Sequence, residues 1–233
     1  MILRAGTSGF SYPAWKGSFY PADLRAKDML AHYAARLSAC EINGTFYRTP
    51  KPEVVRGWAR EVPPGFSFVL KAPVAVGSLR YAALDDVLRS FYAAREGLGD
   101  RAGPVLVQLA PYLQKDVGLL RAFLGKLPAG ERIALEAAKP SWRDPDARDL
   151  LARGGHTIVI TDDETKATGM VRIGTWAYAR LRKASYTKAA LAAFLAEARA
   201  AGVSELWAFF RHEDTGRGPR LARRLMDVAK GVP

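Results

Sequence analysis

The sequence predicts an α/β fold in which eight β-strands alternate with helices, a TIM-barrel-like (β/α)8 barrel that forms a single domain over residues 1–233. Apolar runs of strand length recur along the whole chain, and segments with the apolar spacing of a helix separate them. Hydrophobic residues make up 49% of the 233 residues, enough for one sizeable core. A doubly wound open sheet is the alternative, since it also alternates strands and helices.

Each predicted strand is an apolar run too short to be a typical helix. In chain order the strands cover residues 2–9, 39–46, 66–72, 105–110, 132–137, 157–161, 178–182 and 205–210. We interpret residues 174–177 as an irregular insertion before the seventh strand.

Apolar residues three or four positions apart predict the helices between these strands. They cover residues 24–37, 53–61, 84–98, 119–127, 191–198 and 221–228, with one more around 150–151. Asp116 and Thr187 are expected N-caps, and Asp144 precedes Pro145 at a first helical position.

Charge and composition narrow the class of protein. The net charge of +12 favours an anionic partner, either a phosphate-bearing small molecule or a nucleic acid. The single cysteine rules out an internal disulfide framework. No apolar run is long enough to span a bilayer and the N-terminus lacks a signal-peptide pattern, so we expect a cytoplasmic protein without a membrane partner. Oligomeric state and cofactor remain unassigned.

Functional residues of a barrel collect where the strands end. Lys71 ends the third predicted strand and Glu136 lies near the end of the fifth. An ammonium and a carboxylate over the same opening can act as proton donor and acceptor, so we predict that this pair is catalytic. A structural ion pair is the alternative interpretation.

Three polar residues fall where a barrel interior is normally apolar. Glu41 and Asn43 alternate with Ile42 and therefore share one face of the second strand. Gln108 ends the fourth strand in the same way. Polar side chains on an interior face need partners or a ligand, so we predict that these residues orient a substrate; an internal hydrogen-bond network is the alternative.

Aromatic residues flank the same predicted opening. They are Tyr12, Trp15, Phe46, Tyr47 and Trp142. Their rings are predicted to stack on a base or a sugar, or else to cover the core.

Cations gather on the last two strands. Arg180 and Arg182 share one face, and Arg211 and His212 follow the eighth strand. The loop of residues 214–219, with two glycines, then opens the last helix. Because barrels often bind phosphate at such a helix N-terminus, we predict an anion site here; a solvated basic loop is the alternative.

Other common chemistries find little support. The three histidines show no metal-ligand spacing, and the acidic run 162–164 is typical of a solvated loop, so no metal site is predicted. The phosphate-binding glycine motifs and the Gly-x-Ser-x-Gly nucleophile elbow are absent.

Several motifs together resemble one known family. They are GTSGFSYPAWKGSFYP (6–21), EINGTFYRTP (41–50), FSFVLK (66–71), VQLAP (107–111) and Glu136 with PSW (140–142). The chain resembles, essentially end to end, the domain-of-unknown-function 72 family, also called YecE-like. This resemblance implies a TIM-barrel-like fold and no established activity.

The chain departs from the family pattern at three strand ends. Ala138-Lys139 stands where the family usually has Arg-His, and Arg182-Lys183 stands where it has His-Gly. Arg211-His212 occupies the place of paired asparagines. A mechanism that relies on the family's histidines would therefore fail here, which points to an altered substrate or a lost activity.

Two functional hypotheses follow. The first is an enzyme-like barrel that binds an anionic, phosphate-bearing ligand and carries out metal-independent hydrolase or lyase chemistry. The second is a nucleic-acid-binding protein without catalysis, for which binding should weaken steeply with salt. A degenerate barrel kept for protein contacts is a third possibility.

Overall fold

The computed structural model describes residues 1–170 and 173–231. Eight strands lie in this part of the chain: β1 (Ile2–Thr7), β2 (Ala39–Ile42), β3 (Ser67–Leu70), β4 (Val105–Gln108), β5 (Ile133–Glu136), β6 (Thr157–Asp162), β7 (Trp176–Leu181) and β8 (Glu205–Phe210). The α-helices are α1 (Met29–Ala34), α2 (Pro52–Glu61), α3 (Leu84–Arg95), α4 (Val117–Leu124), α5 (Pro145–Arg153), α6 (Lys188–Ala200) and α7 (Arg217–Gly231).

The strands are parallel and close into a ring, which confirms the predicted barrel and excludes the open sheet. Six of them form a continuous sheet in the order β1-β8-β7-β6-β5-β4, and β2 pairs with β3. Single parallel bridges complete the ring, from Ser8 to Glu41 between the first two strands and from Lys71 to Leu106 between β3 and β4. A Cβ at Gly6 would lie 1.8 Å from the Ala39 carbonyl oxygen, so only glycine permits this close approach of β1 to β2.

The strand alternation divides the apolar residues into an interior and an outer layer. One buried cluster fills the barrel, with members from seven strands: Ala39, Val69, Leu106, Ala134, Val159, Trp176, Tyr178, Trp207 and Phe209. A larger cluster lies between the strands and the surrounding helices. Four of these interior residues are followed, two positions later on the same face, by a polar residue. These polar residues are Glu41, Lys71, Gln108 and Glu136. A polar layer thus caps the apolar interior at the C-terminal end of the strands.

Two of the three predicted helix caps form as expected. Asp116 accepts a hydrogen bond from the Leu119 N–H at 2.9 Å, and Thr187 accepts one from the Ala190 N–H at 3.1 Å. Asp144 does precede Pro145, but its side chain makes no cap bond. It accepts instead from Lys115 Nζ at 2.7 Å.

The structure corrects three other predictions. The second strand ends at Ile42, and residues 43–46 form a 3-10 turn, so Asn43 leaves the face that carries Glu41. Residues 176 and 177 belong to β7 and are not part of an insertion. Within the described ranges, no helix follows β6, where a regular barrel would have one.

Candidate functional site at the barrel mouth

Arg180 lies at the centre of the barrel mouth and contacts two carboxylates. It extends from β7, where alternation places it beyond the interior residue Tyr178. Its Nη1 donates to both oxygens of Glu136 at 2.7 and 2.8 Å, and its Nη2 donates to Glu41 Oε1 at 2.9 Å. Both carboxylates hold the pKa of Arg180 above its ordinary value although burial opposes this. The guanidinium is therefore fixed and permanently charged.

Glu41 is fully buried and every donor around it stabilises its charge. Oε1 accepts from Ser8 Oγ at 2.8 Å, and Oε2 accepts from the Tyr178 hydroxyl at 2.7 Å. Burial alone would raise the pKa of Glu41, but Arg180, Arg182 and the two hydroxyls lower it to about 2. This carboxylate is consequently engaged in positioning its neighbours and is not free to bind a substrate.

Arg182 is held less tightly than Arg180. Its Nη2 lies 3.7 Å from Glu41 Oε1, beyond hydrogen-bond distance. Its guanidinium makes no hydrogen bond within residues 1–170 and 173–231. Only 15% of the side chain is exposed. Burial and the adjacent Arg180 lower the pKa of Arg182. The group is thus a desolvated cation with free donors.

Arg143 is a further cation at the mouth that the sequence analysis did not single out. It comes from the 3-10 turn after β5, Pro140–Arg143, and its Nη2 donates to the Val159 carbonyl at 2.7 Å. Its Nε is buried without a partner in the described structure. Burial lowers the pKa of Arg143, and Glu136 partly offsets this.

We define the mouth cluster as Lys71, Arg143, Arg180, Arg182, Glu41 and Glu136. It holds four cations and two carboxylates, a surplus of two positive charges among partly or fully buried groups. A desolvated surplus of this sign favours an anion.

Lys71 follows β3 and points to a neutral partner. Its Nζ donates to Gln108 Oε1 at 2.7 Å and lies 3.9 Å from the centre of the Phe46 ring. Burial and Arg180 lower the pKa of Lys71, while Glu136 and Glu41 act in the opposite direction. The predicted Lys71–Glu136 pair is therefore not a direct ion pair, and Glu136 is bound to Arg180 instead.

An aromatic cleft of about 550 Å³ opens beside Lys71. Gln108 and Phe46, the two residues that contact the amine, also line this cleft. Tyr81 and Tyr112 form its outer walls and are 49% and 71% exposed. Tyr47, which packs edge-on against Phe46, is 84% exposed, and its predicted contact with a ligand stays a prediction.

The two predicted tryptophans do not offer a ring face to a ligand. Trp15 is fully buried and its indole N–H donates to the Glu213 carbonyl. Trp142 is also fully buried and donates to the Leu113 carbonyl at 3.2 Å. Both belong to the outer core, so the prediction that they stack on a substrate is wrong.

Tyr12 and His212 form a stacked pair at the edge of the mouth. Their ring centres are 5.0 Å apart and the planes differ by 5°. The Tyr12 hydroxyl donates to the Ser8 carbonyl at 2.7 Å, and burial raises the pKa of Tyr12 to about 12. Burial, Arg182 and Arg211 lower the pKa of His212, which favours the neutral form of its ring.

The predicted anion site after β8 is occupied by a side chain of the protein itself. Oε1 of Glu213 accepts from the backbone N–H groups of Arg217 and Gly218 at the start of α7. Its other oxygen accepts from the Thr215 N–H at 2.7 Å. The helix N-terminus therefore has its anion already, and a phosphate site there is not supported. Arg211 is exposed, and its side chain makes no hydrogen bond or ion pair with the described residues.

One site residue named from sequence, Asn43, lies outside the network around Arg180, and two residues of the mouth were not named. Asn43 starts the turn after β2, and its Oδ1 is buried without a partner among the described residues. Tyr178, by contrast, was missed, although it lies two positions before Arg180 on the same face. That spacing was the available signal. No signal pointed to Arg143, because its side chain reaches back from a turn.

Residues 1–170 and 173–231 contain neither a cluster of metal ligands nor a helix that could span a membrane. No three His, Cys, Asp or Glu side chains there are grouped to hold a metal ion. No helix there has the length and apolar character needed to cross a membrane.

A family profile and a curated relative both match this chain. The profile of the family described as "Protein of unknown function DUF72" matches residues 4–232. The UPF0759 protein YecE of Escherichia coli K12 is 30% identical over 160 residues, which is 66% of this chain and 56% of that protein. The chain thus spans little more than half the length of this curated relative.

Solved structures share the fold. A DUF72 family protein from Thermotoga maritima superposes with a TM-score of 0.81 at 22% identity, covering 99% of this chain and 100% of the other. One from Enterococcus faecalis gives 0.78 at 18% identity, with 98% and 96% covered. Because the sequence motifs, the profile and the barrel all agree, the chain belongs to the DUF72 family, whose function is unknown.

Proposed function

We propose that the barrel mouth binds a small anionic ligand, phosphate- or carboxylate-bearing, and that Lys71 transfers a proton in hydrolase or lyase chemistry on it. The proposal depends on the surroundings of the Arg182 guanidinium. Arg182 has a desolvated guanidinium 3.7 Å from its nearest carboxylate, and its side chain makes no hydrogen bond within the described residues. A phosphate or carboxylate would supply the acceptors that this group lacks.

The residues around Arg182 have different roles in the proposed site. Glu41 and Glu136 hold Arg180 in place, which keeps a second positive charge behind the ligand. Both Nη groups of Arg180 already donate to carboxylates, and its buried Nε has no partner among the described residues, so its contribution is mainly electrostatic. Gln108 orients the Lys71 amine. Glu136 is less suited to accept a proton than the sequence suggested, because both of its oxygens accept from Arg180.

Lys71 is the better candidate for proton transfer. A lysine acts as a base near neutral pH when its surroundings disfavour the charged form. Here burial and Arg180 both do so, and the nearest polar partner is a neutral amide. The ligand's anionic group at Arg182 would place its reacting atoms toward this amine and the aromatic cleft.

The test compares anion binding in three proteins. Inorganic phosphate and pyrophosphate are titrated calorimetrically into the wild type, Arg182→Gln and Arg89→Gln. Arg89 lies exposed on α3, away from the mouth, and serves as the matched control. Loss of charge-assisted hydrogen bonds worth about 1.5–3 kcal/mol weakens binding about tenfold to a hundredfold in Arg182→Gln only. Equal binding in all three proteins would contradict the proposal.

A nucleic-acid partner is the second candidate. The exposed tyrosines 47, 81 and 112 near a basic mouth are the observation that favours it, since exposed rings stack on unpaired bases. Fluorescence anisotropy with a labelled single-stranded oligonucleotide tests it at low and near-physiological salt. We expect a steep salt dependence and weaker binding by Tyr47→Ser and Tyr112→Ser. Binding that vanishes at physiological salt, or that both variants leave unchanged, would reject this candidate.

A further inference from the structure

The Lys71 amine has an unusual set of neighbours for a charged group. Only 8% of the residue is exposed, and no carboxylate of the described residues lies within 4.0 Å of its Nζ. The amine contacts a neutral amide oxygen at 2.7 Å and an aromatic face at 3.9 Å. A buried structural lysine normally has an acidic partner. This one has an amide oxygen and the face of an aromatic ring in place of a carboxylate among the described residues. Both can hold an ammonium group, but neither carries the full negative charge that would fix it in the protonated form.

These surroundings are those of a nucleophilic amine. Lysine side chains become nucleophiles when they are desolvated in an apolar pocket or lie beside another cation, because both favour the neutral amine. Both conditions hold here, since burial, Arg180 and Arg182 lower the pKa of Lys71 and outweigh the opposing effect of Glu136 and Glu41. Gln108 offers an acceptor to the amine without adding a charge that would keep it protonated.

The amine is also within reach of a cavity. Phe46 and Gln108, which contact Nζ, form part of the wall of the 550 Å³ cleft. The remaining wall is largely apolar, with Val74, Leu109 and Tyr112 among its residues. A compound in this cleft would have an apolar side against the wall and its reacting carbon beside Lys71. Its anionic end would have to extend from the cleft to Arg182, which is not part of the cleft wall.

We propose that Lys71 is a covalent nucleophile that forms an imine with the carbonyl carbon of a small anionic aldehyde or ketone, such as a 2-oxo acid. The inference rests on the proposed function, because Arg182 supplies the contact for the anionic group. The imine, once protonated, withdraws electrons from the neighbouring carbon, so that an adjacent C–H or C–C bond can break. This identifies the reaction as lyase-type chemistry on a carbonyl compound.

The step is balanced without an oxidant, a reductant or a metal. The Nζ lone pair attacks the carbonyl carbon, and the C–N bond forms as the carbonyl π pair moves to oxygen. A proton passes from nitrogen to that oxygen and gives a carbinolamine. The hydroxyl then leaves with a further proton as water, and the C=N bond forms. The products are one imine and one water molecule.

Reductive trapping on the intact chain tests the proposal. The wild type is treated at pH 7 with sodium cyanoborohydride and either glyoxylate or acetaldehyde, two aldehydes of similar size of which only glyoxylate is anionic. Peptide mass spectrometry follows the labelling rate at Lys71 and at the exposed Lys27 and Lys188. A lowered pKa raises the share of neutral amine at pH 7, so we expect Lys71 to react several-fold faster than the two surface lysines.

The outcomes separate this proposal from the one on which it rests. Labelling of Lys71 no faster than that of the surface lysines overturns the nucleophile, because a merely structural lysine with 8% exposure would react more slowly than they do. Fast labelling by both aldehydes, with a preference for glyoxylate that Arg182→Gln removes, supports both proposals. Fast labelling with no such preference supports the nucleophile and rejects anion binding at Arg182.

A second variant tests the role assigned to Gln108. Gln108→Glu keeps the shape of the side chain and places a negative charge against Nζ, where Oε1 now lies at 2.7 Å. The amine should then stay protonated and lose its advantage over Lys27 and Lys188. Undiminished labelling of Lys71 in this variant would show that its reactivity does not come from the neutral partner, and would overturn the mechanism.

Discussion

The substitution Glu41→Gln tests whether the buried charge network holds the barrel mouth together. The variant keeps the size of the side chain and removes its charge. Arg180 would then face Glu136 alone, and Arg182 would lose the carboxylate 3.7 Å from its Nη2. The mouth cluster would then hold four cations and one carboxylate, so its surplus of positive charge would rise from two to three. Since buried charges are costly without partners, we expect a marked loss of stability at pH 7.

The magnitude follows from two independent estimates. Removing one partner of a buried ion pair costs about 3–5 kcal/mol. The pKa of Glu41 falls from its ordinary value of 4.5 to about 2, which corresponds to about 3 kcal/mol at about 1.4 kcal/mol per pH unit. For a chain of this length, 3 kcal/mol lowers Tm by about 6–12 °C.

The same pKa fixes the pH dependence. A depressed pKa means that the stabilisation is fully present above pH 4.5 and is lost as the pH falls through about 2. Of the roughly 3 kcal/mol, about 2 kcal/mol should already be lost at pH 3. The wild type should therefore lose about 2 kcal/mol more than Glu41→Gln between pH 7 and pH 3.

Urea denaturation at both pH values measures these quantities. Glu61→Gln is the matched control, because Glu61 is exposed at the end of α2 and its replacement should change the free energy of unfolding by less than about 0.5 kcal/mol. A loss below about 1 kcal/mol at pH 7 for Glu41→Gln would refute the reasoning. So would an equal pH dependence in the wild type and the variant.

Three further substitutions test other parts of the description. Trp15→Phe should destabilise the chain by about 1–2 kcal/mol, through the lost bond to the Glu213 carbonyl, while phosphate binding measured by calorimetry stays unchanged; a loss of binding at intact stability would restore Trp15 as a ligand contact. Glu213→Ala should cost about 1–3 kcal/mol in thermal denaturation, because the backbone donors that start α7 lose their acceptor; no change would mean that water replaces the carboxylate. Thr187→Ala should remove about 1 kcal/mol from the free energy of unfolding in urea by deleting the α6 cap, whereas Thr187→Ser should restore most of it.

The positions of the polar residues on the strands could be predicted because strand geometry is local. Glu41, Gln108 and Glu136 are at the ends of short apolar runs, and alternation alone directs them inward. The same rule put Arg180 on one face with Arg182, but it did not predict the contacts of Arg180 with Glu41 and Glu136. The alternation rule also applies to Tyr178, two positions before Arg180. The sequence analysis did not name it, because a tyrosine within an apolar strand is typical of the core.

Residues that follow a strand could not be predicted in this way. Asn43 changes direction because the chain turns immediately after Ile42, and nothing in the alternation marks that point. Trp15 is drawn into the outer core because a large apolar surface and one N–H are both satisfied there. Glu213 reaches the start of α7 through a loop whose course depends on the whole fold.

Arg182 adds a positive charge to the barrel mouth at a position where the family resemblance leads us to expect a histidine. Neighbouring cations disfavour the charged form of a histidine. Burial, Arg182 and Arg211 lower the pKa of His212 here. Arginine stays charged, so the substitution adds a permanent positive charge directly behind Arg180. Its pKa is lowered by burial and by that neighbour, and Glu41 offsets only part of the cost. A cation held against burial and repulsion, with no hydrogen bond from its guanidinium to the described residues, is the feature on which the proposed anion binding at Arg182 depends.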